Sequence, residues 1–132
     1  MRIAIDVHGT IDKNPKLFKL MMEIYLSAGI EVYIVSGPPV EEIHKELEKL
    51  KFKLDKHFSW IYSVVDYLRS HTTVEMTQDD KGHWWCAEKD WWDSKGMMCK
   101  HYNIDVIIDN EIKYKDNMPE KTKFIHWIKE IE

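Results

Sequence analysis

Apolar and polar positions along the chain follow two alternating rhythms. "RIAID", Arg2 to Asp6, is a short apolar run with β-branched residues that ends in a carboxylate and then the breaker Gly9, as a buried strand does. Asn14 and Pro15 predict an N-cap and first helical position. The helix they open carries Leu17, Phe18, Leu20, Met21, Ile24 and Tyr25 near a 3.6-residue period and is closed by Gly29. "EVYIVSG" repeats the strand pattern and delivers Ser36 and Gly37 at its end. Beyond Pro38 and Pro39, the residues Val40, Ile43, Leu47 and Leu50 mark the apolar face of a second helix. "SWIYSVVDYL" reads equally as a short helix or a strand. "TTVEMTQDDKGHWWCAE" has two β-like arms around Asp80, Lys81 and Gly82 and reads as a hairpin over about residues 73–88. "WWDSKGMMCKHYN" predicts a helix weakened at Gly96, "DVIID" a further buried strand, and "KTKFIHWI" a last strand or helix.

Strand, helix, strand, helix at these lengths implies a parallel sheet with right-handed crossovers, and such sheets bind ligands at the carboxyl ends of their strands. The expected fold is therefore a three-layer α/β, Rossmann-like parallel sheet with an inserted β-hairpin. A chain of 132 residues fits one domain, residues 1–132, in which the hairpin is at most a minimal cap. No linker, repeat or low-complexity tract interrupts it.

Composition narrows the function classes. The chain is 44% hydrophobic and 32% charged with net charge −4, and its lysines and glutamates are interspersed, which argues against nucleic-acid or membrane-surface binding. No apolar run approaches the roughly 20 residues of a membrane span, and the first residues are too short of apolar character for a signal peptide, so a cytoplasmic location is expected. The two cysteines, Cys86 and Cys99, make no disulfide framework and read as packing residues; no Cys-x-x-Cys or comparable spacing argues for zinc. Oligomeric state is not legible.

In a parallel sheet, Asp6, Ser36 and Asp109 all fall just past the carboxyl ends of strands, and Lys95 opens the helix before the last of them. Phosphate-ester cleavage uses such a set in a definite way. A carboxylate attacks phosphorus to give an aspartyl phosphate, splitting one hard hydrolysis into two easier steps. Its repulsion from the phosphate calls for a hard cation with oxygen ligands, here Mg²⁺ on Asp6 and Asp109. Ser36 and the backbone near Gly37 would hold phosphate oxygens, and Lys95 would neutralise charge and orient Asp6.

These residues resemble the motifs of the haloacid dehalogenase superfamily. Its first motif, a strand followed by Asp-x-Asp-Gly-Thr, is matched by "IAIDVHGTID" at Asp6, Gly9 and Thr10. Its second, a strand ending in Ser or Thr, is matched at Ser36, its third at Lys95, and its acidic fourth by "DVIIDN" at Asp109. The four in order resemble small members of that superfamily, phage and bacterial, that lack a large cap domain. The resemblance implies an aspartyl-phosphate phosphatase with Asp6 as nucleophile, Thr10 beside Ser36 and Gly37 in the substrate-binding set, and a metal held by Asp6, Asp109 and the backbone carbonyl of His8.

Two departures stand out. Where the family places its acid–base aspartate this chain has His8, and Asn110 replaces the second acid of the fourth motif. Imidazole titrates near pH 6.5 and is competent to give and take a proton, but it is bulkier than a carboxylate. The expected function is Mg²⁺-dependent hydrolysis of a small phosphate monoester, with His8, Asp6 and Lys95 in catalytic roles. Nucleotides are slightly preferred among the substrates because alternation turns one tryptophan of each pair, Trp84/Trp85 and Trp91/Trp92, outward to stack on a base or sugar, although core packing or a dimer contact is the favoured reading of this group. The alternative is a weak or inactive relative that keeps the fold and binds metal or phosphate ligands.

Overall fold

The computed structural model describes residues 1–128 and contains a five-stranded parallel sheet. Numbered in chain order, its strands are β1 (Arg2–Ile5), β2 (Glu31–Ser36), β3 (Trp60–Ser63), β6 (Val106–Asp109) and β7 (Lys123–His126), lying side by side as β3-β2-β1-β6-β7. Between them run helices α1 (Pro15–Ser27), α2 (Val40–Lys49), α3 (Val64–His71) and α4 (Glu88–His101). A separate antiparallel pair joins β4 (Thr77–Gln78) to β5 (Trp84–Trp85).

The pleat sorts each strand's residues onto two faces. Ile3, Ile5, Val32 and Ile34 share one face with Phe18 and Met22 of α1 and Ile43 and Leu47 of α2. Ala4, Tyr33, Val35 and Ile107 share the other with Val64 and Leu68 of α3 and Met98 and Cys99 of α4. Both faces are covered, which is why these strands are apolar without alternation. The architecture is α/β and Rossmann-like, with helices on either side of the sheet.

Several expectations resolve here. "SWIYSVVDYL" is both alternatives in succession: β3, then α3, with Ser63 accepting from the Asp66 N–H at 3.1 Å as N-cap. "KTKFIHWI" supplies a strand. Pro15 is the first residue of α1, but Asn14 makes no side-chain cap bond. The buried stripe of α1 centres on Phe18 and Met22, leaving Leu17, Leu20 and Ile24 exposed, because the helix leans on the sheet one residue out of the expected phase. Gly96 is no simple weak point: a Cβ there would overlap the Asn117 carbonyl in the 3₁₀ turn Ile112–Asn117, so its bareness lets α4 lie against that turn. No helix among the described residues is long and apolar enough to cross a membrane.

Candidate active site

The chain leaves β1 toward β2 and β3 on one side and returns to place β6 and β7 on the other, so the carboxyl ends of β1 and β6 diverge. At such a point the loops part and open a crevice. Asp6 follows β1 directly and donates its N–H to the Ile108 carbonyl at 3.0 Å, while Asp109 ends β6. Lys95 lies in the middle of α4 rather than opening it, and reaches down to both: Nζ donates to Asp6 Oδ1 at 3.0 Å and to Asp109 Oδ2 at 2.5 Å. Asp6, Lys95 and Asp109 are only 5%, 2% and 1% exposed. The ring of buried Tyr114 lies beneath the ammonium, 4.5 Å from Nζ to its centroid.

Burial by itself would lower the Lys95 pKa, but Asp6 and Asp109 outweigh it and hold the ammonium well above its ordinary value. Burial pushes the Asp6 carboxyl up, against the pull of Lys95 and with the help of the Asp109 charge. One cation thus serves two buried carboxylates, and the surplus negative charge favours a second cation. Burial also pushes the Tyr114 hydroxyl and the Cys99 thiol up to about 12, so neither supplies an anion near neutral pH.

Ser36, at the end of β2, is fully buried, and its Oγ has no hydrogen-bond partner among the described residues. It does not cap α2, whose first N–H instead finds Asp66 Oδ2 at 3.0 Å. A buried hydroxyl left unpaired is costly, so Ser36 stands out as a polar atom with unmet hydrogen-bonding capacity at the strand end. Gly37 lines the same cavity, and a Cβ there would stand 3.1 Å from the Trp91 ring. Thr10 lies below Asp6, its Oγ1 3.4 Å from Asp6 Oδ2, and does not line the cavity.

The Asn110 amide faces two oxygens. Turned with its nitrogen toward them, it donates to Asp6 Oδ2 at 3.0 Å and to the His8 carbonyl at 2.8 Å. In that orientation the amide is satisfied by its two oxygen neighbours. Among the described residues, no group of three His, Cys, Asp or Glu side chains is placed to hold a metal. The donor set here is of another kind, carboxylate, backbone carbonyl and amide, and its hard oxygens fit Mg²⁺. Gly9 makes room for it: its φ is +83°, and a Cβ there would overlap the Asn110 amide.

The imidazole of His8 points elsewhere. Its Nε2 lies 2.9 and 2.7 Å from the two carboxylate oxygens of Glu46 on α2, and the side chain is 51% exposed. The ring borders the cavity without touching Asp6 in this arrangement.

All of this opens into a cavity of about 660 Å³, within the range of small-ligand sites, with Asp6, Ser36, Lys95 and Asp109 among its lining. The tip of the β4–β5 hairpin contributes Lys81, Gly82, His83 and Trp84 to the same cavity. A second cavity of about 980 Å³, bordered by Leu47, Phe52, Phe58 and Trp60, is more apolar, and its carboxylate and lysine pair, Glu23 and Lys56 at 3.7 Å, is exposed rather than buried.

No family model, curated protein or solved structure matches this chain. Sequence reasoning singled out Asp6, Ser36, Lys95 and Asp109, and the structure brings them together. It missed Glu46 and Tyr114. Tyr114 follows the fourth strand end closely enough to have been suspected, whereas Glu46 carries no signal until the rotation of α2 is known.

Proposed function

We propose that this protein is a Mg²⁺-dependent phosphohydrolase acting on a small phosphate monoester through a phosphorylated Asp6, and that its fold is of the haloacid dehalogenase type. The observation that carries the reading is the buried pairing of Asp6 and Asp109 on Lys95 beside an unpartnered Ser36 hydroxyl, all at one sheet edge. The resemblance of "IAIDVHGTID" to the superfamily's first motif supports it from the sequence. A cytoplasmic setting and a small phosphorylated partner go with this reading.

Asp6 Oδ2 forms a bond to phosphorus as the ester P–O bond breaks, and the departing oxygen takes a proton. Water then attacks phosphorus, the bond to Asp6 breaks, and phosphate leaves with Asp6 restored. Lys95 keeps Asp6 oriented through Oδ1. Ser36 Oγ and the backbone near Gly37 bind phosphate oxygens. Asp6, Asp109, the His8 carbonyl and Asn110 would hold Mg²⁺, which when bound offsets the repulsion between phosphate and carboxylate. To deliver the leaving-group proton, the His8 ring must first part from Glu46.

That last requirement favours a second reading, a weak or silent phosphate-binding relative. A panel of phosphate esters, assayed with and without Mg²⁺ on the native chain and on Asp6→Asn, separates the two. The enzyme reading expects metal-dependent phosphate release that Asp6→Asn abolishes; release that survives this substitution overturns it.

A further inference from the structure

The cavity joins the buried charged cluster to aromatic rings, with exposed Glu41 and Glu42 as well as basic residues around them. Trp91 and Trp92 of α4 and Trp84 of the hairpin border it, with Lys45, Lys81 and His83 at its mouth. We infer that Trp84 is a stacking platform for the base of a nucleoside monophosphate whose phosphate sits at Ser36 and Lys95. The inference rests on the phosphohydrolase reading for the phosphate end alone.

The hairpin is too small to be there for its own stability. Each strand has two residues, and a pair of that size has little stability alone. Its tip is nevertheless pinned. Asp79 Oδ1 accepts from the Lys81 and His83 N–H groups, and Asp79 Oδ2 accepts from Trp85 Nε1, all at 2.9 Å. Gln78 Nε2 donates to the Gly82 carbonyl at 2.9 Å. Opposed facing across the pleat sends Trp85 outward, 59% exposed, and Trp84 toward the cavity. The Arg69 guanidinium, which does not line the cavity, lies 4.0 Å from the Trp84 ring centroid. One face of the indole is thus backed by a cation, which fixes the ring and leaves its other face for a guest.

A flat heteroaromatic ring fits that face better than an aliphatic or sugar alcohol, because stacking places one polarised π-surface on another. A base also carries polar edges, for which Lys45, Lys81 and His83 supply partners. Trp91 abuts bare Gly37, so its indole lies beside the phosphate subsite. A phosphorylated sugar without a base would leave the tryptophan surface wet.

The test compares adenosine 5′-monophosphate with ribose 5-phosphate on the native protein, Trp84→Ala, Trp84→Phe and Trp60→Ala, with Mg²⁺ present. Both kcat/KM and quenching of tryptophan fluorescence are read. The native protein should favour the nucleotide by about 10-fold or more, the preference expected from one stacked base. Trp84→Ala should remove most of that preference through KM, Trp84→Phe should keep part of it, and Trp60→Ala, at an exposed tryptophan away from this cavity, should keep all of it. If both esters are hydrolysed equally and Trp84→Ala changes neither, the platform is overturned while the phosphohydrolase reading stands. If neither is hydrolysed but the nucleotide binds and quenches in a Trp84-dependent way, the platform stands and turnover falls. If the nucleotide neither binds nor reacts, the platform is overturned, while the phosphohydrolase reading stands or falls on Asp6-dependent, Mg²⁺-dependent release of phosphate from ribose 5-phosphate and the rest of the ester panel.

Discussion

His8 and Glu46 form a contact across the mouth of the site, with Nε2 2.9 and 2.7 Å from the two oxygens of one carboxylate. The only imidazole beside Asp6 in sequence is therefore parked on α2. General acid–base help is typically worth 10² to 10⁴ in rate. His8→Asp is expected to raise kcat by roughly 100-fold, most for esters with poor leaving groups. Glu46→Ala, which only releases the ring, should give a smaller rise with little change in KM. Steady-state kinetics on a matched pair of good and poor leaving groups checks both.

Lys95 is the counter-ion of two buried carboxylates, so Lys95→Met should cost about 3 to 5 kcal/mol of stability near pH 7. Without the ammonium the Asp6 carboxyl rises further above its unfolded value. A carboxyl raised by folding binds more protons in the native state, so its unfavourable contribution disappears as pH falls through the folded value. The gap between native and variant stabilities should narrow on acidification from pH 7 toward the unfolded carboxylate range near 4, as read from urea denaturation at each pH.

His57 lies under α2 with its Nδ1 accepting the Lys53 N–H at 2.9 Å, and burial holds its pKa below the ordinary value. Protonation breaks that bond and charges a buried ring. The unfolded chain takes up this proton first, so stability is lost as pH falls below about 6.5, with a slope up to about 1.4 kcal/mol per pH unit. His57→Asn, whose amide oxygen can accept the same N–H, should flatten that slope between pH 7 and 5 in thermal or urea melts.

Mg²⁺ should raise the melting temperature, and EDTA should reverse the rise. At a hundred times the dissociation constant the gain is about 2.7 kcal/mol. Asn110→Asp adds a charged ligand and should tighten binding, whereas Asp109→Asn should weaken it. Titration calorimetry with Mg²⁺ alone reads both without any substrate.

Gly96→Ala pushes a methyl into the Asn117 carbonyl and should cost about 1 to 3 kcal/mol, in contrast to the small gain expected of alanine in an open helix. The same change should loosen Tyr114 from beneath Lys95, so a loss of phosphate binding should accompany the loss of stability in calorimetry.

The parallel sheet was legible because buried strands such as "RIAID" and "DVIID" need no partner to be recognised, and their ends place Asp6 and Asp109 at one edge. Lys95 was legible as a residue but not as a position, since only the packing of α4 around Gly96 decides how far along the helix it lies. Glu46 was not legible at all. A one-residue error in helical phase, of the kind seen in α1, turns a side chain by about 100°, enough to lose a contact that decides where His8 points.

The place of β1 has a consequence for how the chain can be made. Its two neighbours are β2, which begins at Glu31, and β6, which begins at Val106. During synthesis one margin of an apolar strand therefore waits, unpaired, until the segment from Val106 onward is made. An open margin of this kind recruits other chains. Fragments ending before Val106 should clump, and the yield of intact protein should depend on how quickly β6 arrives.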